Sequence, residues 1–168
     1  MIIGIDVDGV LLDIQSPWIA KYNHISGDCL QYNDITQWRM ADIVIPEYAL
    51  SIYDMRTPDL YYIALPICSS QYATIKLISM GHQLVCVSHD RRSHANAKGH
   101  AIRRHFPWIA DITITGADKS IVKCDVLIDD AVHNKPDILF DQPWNRSDTD
   151  IPRAESWISV VNMIGSMR

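Results

Sequence analysis

The sequence predicts an α/β protein: a parallel sheet with helices on both faces and a small helical cap. Three observations carry that expectation. Short apolar runs of strand type recur at Ile2 to Asp6, Leu84 to Ser88, Ile112 to Thr115, Val126 to Asp129 and Ile138 to Phe140, with helical patterns between several of them; a buried parallel sheet imposes that alternation on its chain. Two of these runs end in carboxylates, at Asp6 with Asp8 and at Asp129 with Asp130. The interval between the first two runs, about Ile14 to Pro66, is too long for an ordinary crossover and is rich in aromatic residues.

The first strand delivers Asp6 and Asp8 to a tight turn at Gly9. Side chains alternate along an extended chain, so both acids project to one side near the strand's C-terminal end. Two acids there suit magnesium and phosphate chemistry. An EF-hand calcium loop also begins Asp-x-Asp, but the positions that would need a third ligand, a glycine and a closing glutamate hold Val10, Leu11 and Pro17. The long interval carries short helical patterns broken at Gly27, Pro46 and Pro58 and reads as a cap, which divides the chain into a core of 1–13 and 67–168 and a cap of 14–66. The cap holds Trp18, Tyr22, Tyr32, Trp38, Tyr48, Tyr53, Tyr61 and Tyr62, eight of the fourteen aromatics. Such side chains either fill a small cap's own core or stack on a nucleobase.

Gln71 to Ser79 has helical periodicity and stops at Gly81, a C-cap. Leu84 to Ser88 closes on a serine, and Arg91 to His105 forms a second helix. That helix is basic, with Arg92, His94, Lys98, His100, Arg103 and Arg104, and a charge-rich helix ordinarily presents a solvated face. His89, next to Ser88, is better placed for substrate. Ser120 begins a short third helix, Asn145 to Pro152 is polar and linker-like, and Glu155 to Met167 is an amphipathic last helix. Ligands of such sheets bind beyond the carboxyl ends of the strands, where Asp6, Ser88 and Asp129 fall.

Composition narrows the function. The formal net charge of -5 argues against a nucleic-acid polymer as partner and favours a small phosphorylated substrate. Cys29, Cys68, Cys86 and Cys124 form no Cys-x-x-Cys pair and read as buried reduced thiols. The histidines show no zinc-binding spacing. The apolar N-terminus lacks a basic start and is interrupted by Asp6 and Asp8, and no run approaches bilayer length. The expectation is a cytoplasmic protein with no membrane partner, with room for a homodimer through apolar side chains on the cap.

Asp6-Val7-Asp8-Gly9-Val10, Ser88 at the end of its strand, Lys119, and then Asp129-Asp130 resemble the four ordered motifs of the haloacid dehalogenase (HAD) superfamily of phosphotransferases. Within it, the Asp-Gly-Val form of the first motif, Asp118-Lys119-Ser120 leading into Leu127-Ile128-Asp129-Asp130, and Phe140 to Asn145 are similar to the 5'(3')-deoxyribonucleotidases. The segment Ala131 to Asn134 departs from that family's arginine or proline features. The resemblance implies a Rossmann-like fold and a Mg2+-dependent phosphomonoesterase acting on a deoxynucleoside monophosphate. It implies Asp6 as nucleophile, Asp8 as general acid and base, and Lys119 as the cation beside phosphate and Asp6. Substrate contacts would come from Gly9, Ser88 and Lys119, with His89 added by its position next to Ser88; Trp144, in the loop after the last strand, either lines the pocket entrance or packs in the core or cap. The metal would be held by Asp6, the Asp8 backbone carbonyl and the Asp129-Asp130 pair, of which the second is the direct ligand. Crowding among these acids is expected to raise a pKa, usefully that of Asp8.

Overall fold

A computed structural model of the chain describes residues 1–90, 92–116, 119–147 and 150–167, apart from the side chains of Arg92 and Ser120. Its frame is a six-stranded sheet built from β1 (Ile2–Ile5), β4 (Gln83–His89), β5 (Asp111–Thr115), β6 (Val126–Asp129), β7 (Ile138–Phe140) and β8 (Arg153–Ala154), in the order β5-β4-β1-β6-β7-β8. Every pairing in it is parallel. β1 lies in the middle, and the chain moves first to one side of it and then to the other. The crevice at that switch point is where sheets of this kind accept ligands. Ile3 and Ile5 of β1, Cys86 and Val87 of β4, and Ile128 of β6 have no exposed surface. Near-continuous apolar strands of this sort are possible only where helices cover the sheet.

The covering helices are α3 (Ser70–Ser79), α4 (Arg92–His105) and α5 (Trp157–Ser166). Gly81 follows α3 in the left-handed region at φ 87° and donates to the Ile78 carbonyl, closing that helix as its position suggests. The Ser156 side chain accepts a bond from the Ser159 amide and starts α5. A second, two-stranded antiparallel ladder pairs β2 (Leu12–Asp13) with β3 (Leu65–Pro66). Between them run α1 (Gln15–Ser26), single 3-10 turns at Tyr32–Asp34, Met40–Asp42, Pro46–Tyr48 and Ile52–Met55, and α2 (Leu60–Ile63). Gly27 at φ 74° ends α1, and Pro46 opens its own turn. Trp18, Tyr22, Ile35, Met40, Ile52 and Tyr61 are buried beneath this segment.

The structure departs from expectation in several places. Between the linker-like stretch, Asn145 to Pro152, and the last helix the chain adds β8 to the sheet, a strand too short to show alternation in the sequence. Helix α5 begins at Trp157, because Ser156 and not Glu155 supplies the cap. Lys119–Ile121 is one 3-10 turn and not a helix beginning at Ser120. All four cysteines are free, but only Cys86 is fully buried; Cys29 and Cys68 are exposed in the connections that follow α1 and precede α3. Arg91 and Asp118 lie outside the described residues. No helix among the described residues is long and apolar enough to cross a membrane.

Candidate active site

The sheet register assembles the site. Ile5 of β1 stands opposite Ile128 of β6, so the next residues, Asp6 and Asp129, come side by side where the strands end. The Asp6 amide donates to the Ile128 carbonyl at 2.9 Å and continues that pairing. Lys119, almost wholly buried, lies between the two acids, its Nζ 2.9 Å from Asp6 Oδ1 and 2.6 Å from Asp129 Oδ2. Asp129 also accepts from the Ala131 amide and from Asn134 Nδ2, both at 2.9 Å. Asp130 accepts from Trp144 Nε1 at 2.9 Å, and Asn145 Nδ2 donates to its carbonyl.

Carboxylate oxygens of Asp6, Asp129 and Asp130 lie within 4.8 Å of one another, all three residues buried. Asp6 Oδ1 faces Lys119 as an ion pair but makes no hydrogen bond among the described residues. Three converging carboxylates against one ammonium leave uncompensated negative charge, which fits a divalent metal site with oxygen ligands. Asp130 lines the open cavity, whereas Asp129 has no exposed surface and is already occupied by three donors. The Asp8 carboxylate stands outside this group.

Asp8 belongs to a second network. Its Oδ2 accepts from Lys98 Nζ at 2.8 Å, from the Tyr61 hydroxyl at 3.0 Å and from Arg56 Nη2, while Oδ1 is buried without a partner among the described residues. Lys98 also pairs with Asp90 Oδ2 at 2.8 Å and donates to Ser88 Oγ at 2.9 Å and to the His89 carbonyl at 3.1 Å. Directly after Asp8 the chain turns at Gly9, at φ 76°. Gln142 Nε2 donates to the Gly9 carbonyl and Gln142 Oε1 accepts from the Tyr32 hydroxyl, tying the turn to the loop after β7.

A cavity of about 620 Å³, within the range typical of small-molecule sites, opens over both networks. Asp6, Asp8, Ser88, Lys119 and Asp130 contribute from the sheet; Trp18, Trp38, Tyr53, Arg39 and Arg56 contribute from the helical segment. His89, His133 and Trp144 also line it, while Gly9 does not. Trp38 meets His133 edge-on with ring centroids 4.9 Å apart, so the segment and the loop after β6 touch at the rim.

Electrostatics separates the acids. Burial, reinforced by Asp6, pushes Asp129 up to about 6. Burial, then Asp6 and Asp129, holds Asp130 well above the usual carboxylate range. Burial would also raise Asp8, but Lys98 and Arg56 outweigh it and hold that group below its ordinary value. The raised carboxyls in the metal-free protein are therefore Asp129 and Asp130, where the sequence pointed to Asp8. Lys119 goes up despite burial, because Asp6 and Asp129 flank it.

The structure thus brings together Asp6, Asp8, Ser88, Lys119, Asp129 and Asp130 from four separate chain segments. The solvated face expected of α4 is only part of that helix. Lys98 is fully buried and His94 Nδ1 lies 3.0 Å from Asp90 Oδ1. Their i, i+4 spacing, with buried Ala97, Ala101 and Ile102 beside it, was the available signal. Arg56 and Tyr61 gave none, since the path of the 3-10 turns decides where they point.

A parallel sheet carrying acids at the ends of β1 and β6, with a lysine between them, defines a hydrolase of the HAD superfamily. A HAD-hydrolase from Bacillus subtilis superposes with a TM-score of 0.62 at 13% identity, covering 97% of both chains. The family model of the "5' nucleotidase, deoxy (Pyrimidine), cytosolic type C protein" matches residues 1–168, and the chain belongs to that family. It is 28% identical to a 5'(3')-deoxyribonucleotidase of Clostridium acetobutylicum, over 99% of this chain and 96% of that protein. It is 29% identical to one of Bacillus subtilis, over 93% and 94%. The protein is accordingly a nucleotidase, a phosphoric monoester hydrolase.

Proposed function

We propose that the protein is a magnesium-dependent 5'(3')-deoxyribonucleotidase that hydrolyses deoxynucleoside monophosphates through an aspartyl-phosphate on Asp6. Residues 14–66 serve as the cap over a core of 1–13 and 67–168. The observation that carries this reading is the convergence of Asp6, Lys119 and the Asp129-Asp130 pair beneath a cavity walled by Trp18, Trp38 and Tyr53. A flat, apolar wall suits a base, and charged groups on the floor suit a phosphate.

A carboxylate is a weak nucleophile and the phosphoryl group is anionic, so positioning and charge neutralisation must supply the catalysis. Lys119 would meet one phosphoryl oxygen while staying paired with Asp6, and Ser88 would offer its hydroxyl to another. An oxygen of Asp6 attacks phosphorus and the bond to the ester oxygen breaks. Asp8, held below its ordinary value by Lys98 and Arg56 while the site is empty of substrate, must take up a proton as the anionic substrate binds; it gives that proton to the ester oxygen, then takes one from water as the water attacks the aspartyl-phosphate and frees Asp6 and inorganic phosphate. Asp6, Asp130 and the Asp8 backbone carbonyl would hold magnesium, with Asp129 behind them; when bound, the ion neutralises charge on the phosphoryl group. A structural neighbour bound to magnesium supports the choice of ion. A cytoplasmic setting agrees with the exposed free thiols of Cys29 and Cys68.

The test is phosphate release from deoxynucleoside monophosphates, ribonucleoside monophosphates and sugar phosphates, with magnesium and with chelator, alongside Asp6→Asn. We expect metal-dependent turnover of deoxynucleotides that falls at least about a thousandfold in the variant, as loss of a nucleophile does elsewhere. Turnover of sugar phosphates alone would replace this reading with a general phosphatase, and no turnover at all with a binding protein.

A further inference from the structure

Helix α1 opens against the cavity with its backbone fixed and one side chain left loose. Asp13 accepts from the Ser16 amide at 2.9 Å and from the Ser16 hydroxyl at 2.5 Å, which clamps the turn on both sides of Gln15. Three residues on and on the same helix face, Trp18 is buried and donates from Nε1 to the Ile52 carbonyl at 3.0 Å, so its ring is pinned in the cavity wall. Gln15 lines the same cavity, half-buried, yet its side-chain amide makes no hydrogen bond among the described residues. Oε1 is turned into the wall with no donor to meet it, and Nε2 is the end left with surface. A polar group desolvated without a partner destabilises the fold, and a ligand cavity is where such a group finds a use. Asn134, the other amide in the lining, gives its Nδ2 to Asp129 and is not free in this way.

The floor of the cavity, where Asp6, Ser88, Lys119 and Asp130 meet, suits a phosphate, whereas Gln15 comes from the helical segment that walls the cavity. The part of a nucleotide that reaches this wall is the nucleoside. A primary amide carries a donor and an acceptor on one planar group, and half a turn about its last torsion exchanges them. A site that selects one base holds its reading group with supporting hydrogen bonds that fix which end faces the ligand. No such bond holds Gln15 among the described residues. We propose that Gln15 reads the exocyclic group on the Watson–Crick edge of the nucleobase: Nε2 donates to a keto oxygen and, with the amide turned, Oε1 accepts from an amino group. The inference rests on the deoxyribonucleotidase reading above. It makes the site tolerant of keto and amino bases alike and places the choice between them on one side chain, because a carboxylate at this position would only accept.

The experiment measures kcat/KM for dCMP and dUMP, which differ only at that edge, and for deoxyribose 5-phosphate, which has no base. In the unsubstituted protein the two nucleotides should differ by less than about tenfold. Gln15→Glu, nearly the same in shape, should raise the ratio of dCMP to dUMP by about tenfold or more, since its carboxylate accepts from N4 of cytosine but meets O4 of uracil without a proton. Repulsion between the new charge and the phosphate falls on both nucleotides and cancels in the ratio. Gln15→Met, which neither donates nor accepts, should lower kcat/KM on both nucleotides by about tenfold and on deoxyribose 5-phosphate by less. A dCMP to dUMP ratio that stays unchanged in Gln15→Glu, or moves toward dUMP, would overturn the inference, as would a strong preference for one nucleotide in the unsubstituted protein. Equal losses on all three substrates in Gln15→Met would overturn it too, since that is the result of a role in folding or in holding the sugar phosphate. If the unsubstituted protein turns over deoxyribose 5-phosphate and neither nucleotide, the deoxyribonucleotidase reading itself fails and this inference with it.

Discussion

Gly9 shows how tightly single residues are constrained around the acids. At φ 76° it occupies the left-handed region, and a Cβ there would stand 2.8 Å from Asp130 Oδ2 and 3.1 Å from Trp144 Cζ2. The backbone conformation alone costs a side-chain-bearing residue about 1–2 kcal/mol, and the Asp130 carboxylate would have to shift as well. Gly9→Ala is therefore expected to lower stability by at least that amount and to weaken magnesium binding, measured by chemical denaturation and by metal titration. Unchanged metal affinity would mean that Asp130 is not held where the turn places it. The glycine was legible in the sequence as a turn residue; the reason it must stay bare was not, because Asp130 and Trp144 approach it from more than a hundred positions away.

At the scale of elements, the last helix does more than cover the sheet. Trp157 at the start of α5 is fully buried, donates from Nε1 to the Val10 carbonyl at 2.8 Å, and packs on Phe140 of β7 with ring centroids 5.7 Å apart. The helix thereby secures the turn that follows Asp6 and Asp8. Trp157→Phe keeps an aromatic ring but leaves the Val10 carbonyl without its side-chain donor, which should cost about 1–3 kcal/mol. The expected readout is a lower urea midpoint at an unchanged m value. An unchanged midpoint would show that the bond carries no net stability. The strands with strong apolar runs could be read locally, as β1, β4 and β6 were, since burial on both faces writes itself into composition. Strands β2, β3 and β8, two residues each, could not. Their existence depends on partners that the fold brings alongside.

Across the whole molecule, the acids divide into two sets with opposite effects on stability. Asp129 and Asp130 have folded-state pKa values raised by burial and by neighbouring acids. The folded metal-free protein therefore holds protons that the unfolded chain has released, and stability declines as pH rises from about 4 through about 6, the value for Asp129. Asp8 is lowered by Lys98 and Arg56 against the effect of burial, and Asp90 is lowered to about 2 against burial by Lys98 and then Arg56. Their contribution is complete above the unfolded value of about 4 and is lost as pH falls toward about 2. In the proposed metal site Asp129 and Asp130 would have to be ionised, so binding magnesium there would displace the protons of the first set. Melting temperatures recorded against pH, with chelator and with magnesium, should show a stabilisation by the metal that is small near pH 4.5 and grows to about pH 7. A gain that does not vary with pH would show that these carboxyls carry no extra protons in the metal-free fold.

The sequence by itself determined the α/β class and the acids at the ends of β1 and β6. It also placed Lys119 ahead of the second pair and marked the long aromatic-rich interval after the first. Each of these is a local pattern: apolar runs, strand-end carboxylates and the spacing between them. Only the tertiary structure decided that Lys98, Arg56 and Tyr61 converge on one oxygen of Asp8, and that Asp129 and Asp130 rather than Asp8 carry the raised pKa values. Those outcomes depend on the packing of α4 and the helical segment against the end of the sheet. Electrostatic shifts are set by distances between side chains, and no spacing along the chain encodes how close Arg56 or Lys98 comes to Asp8 in the folded protein.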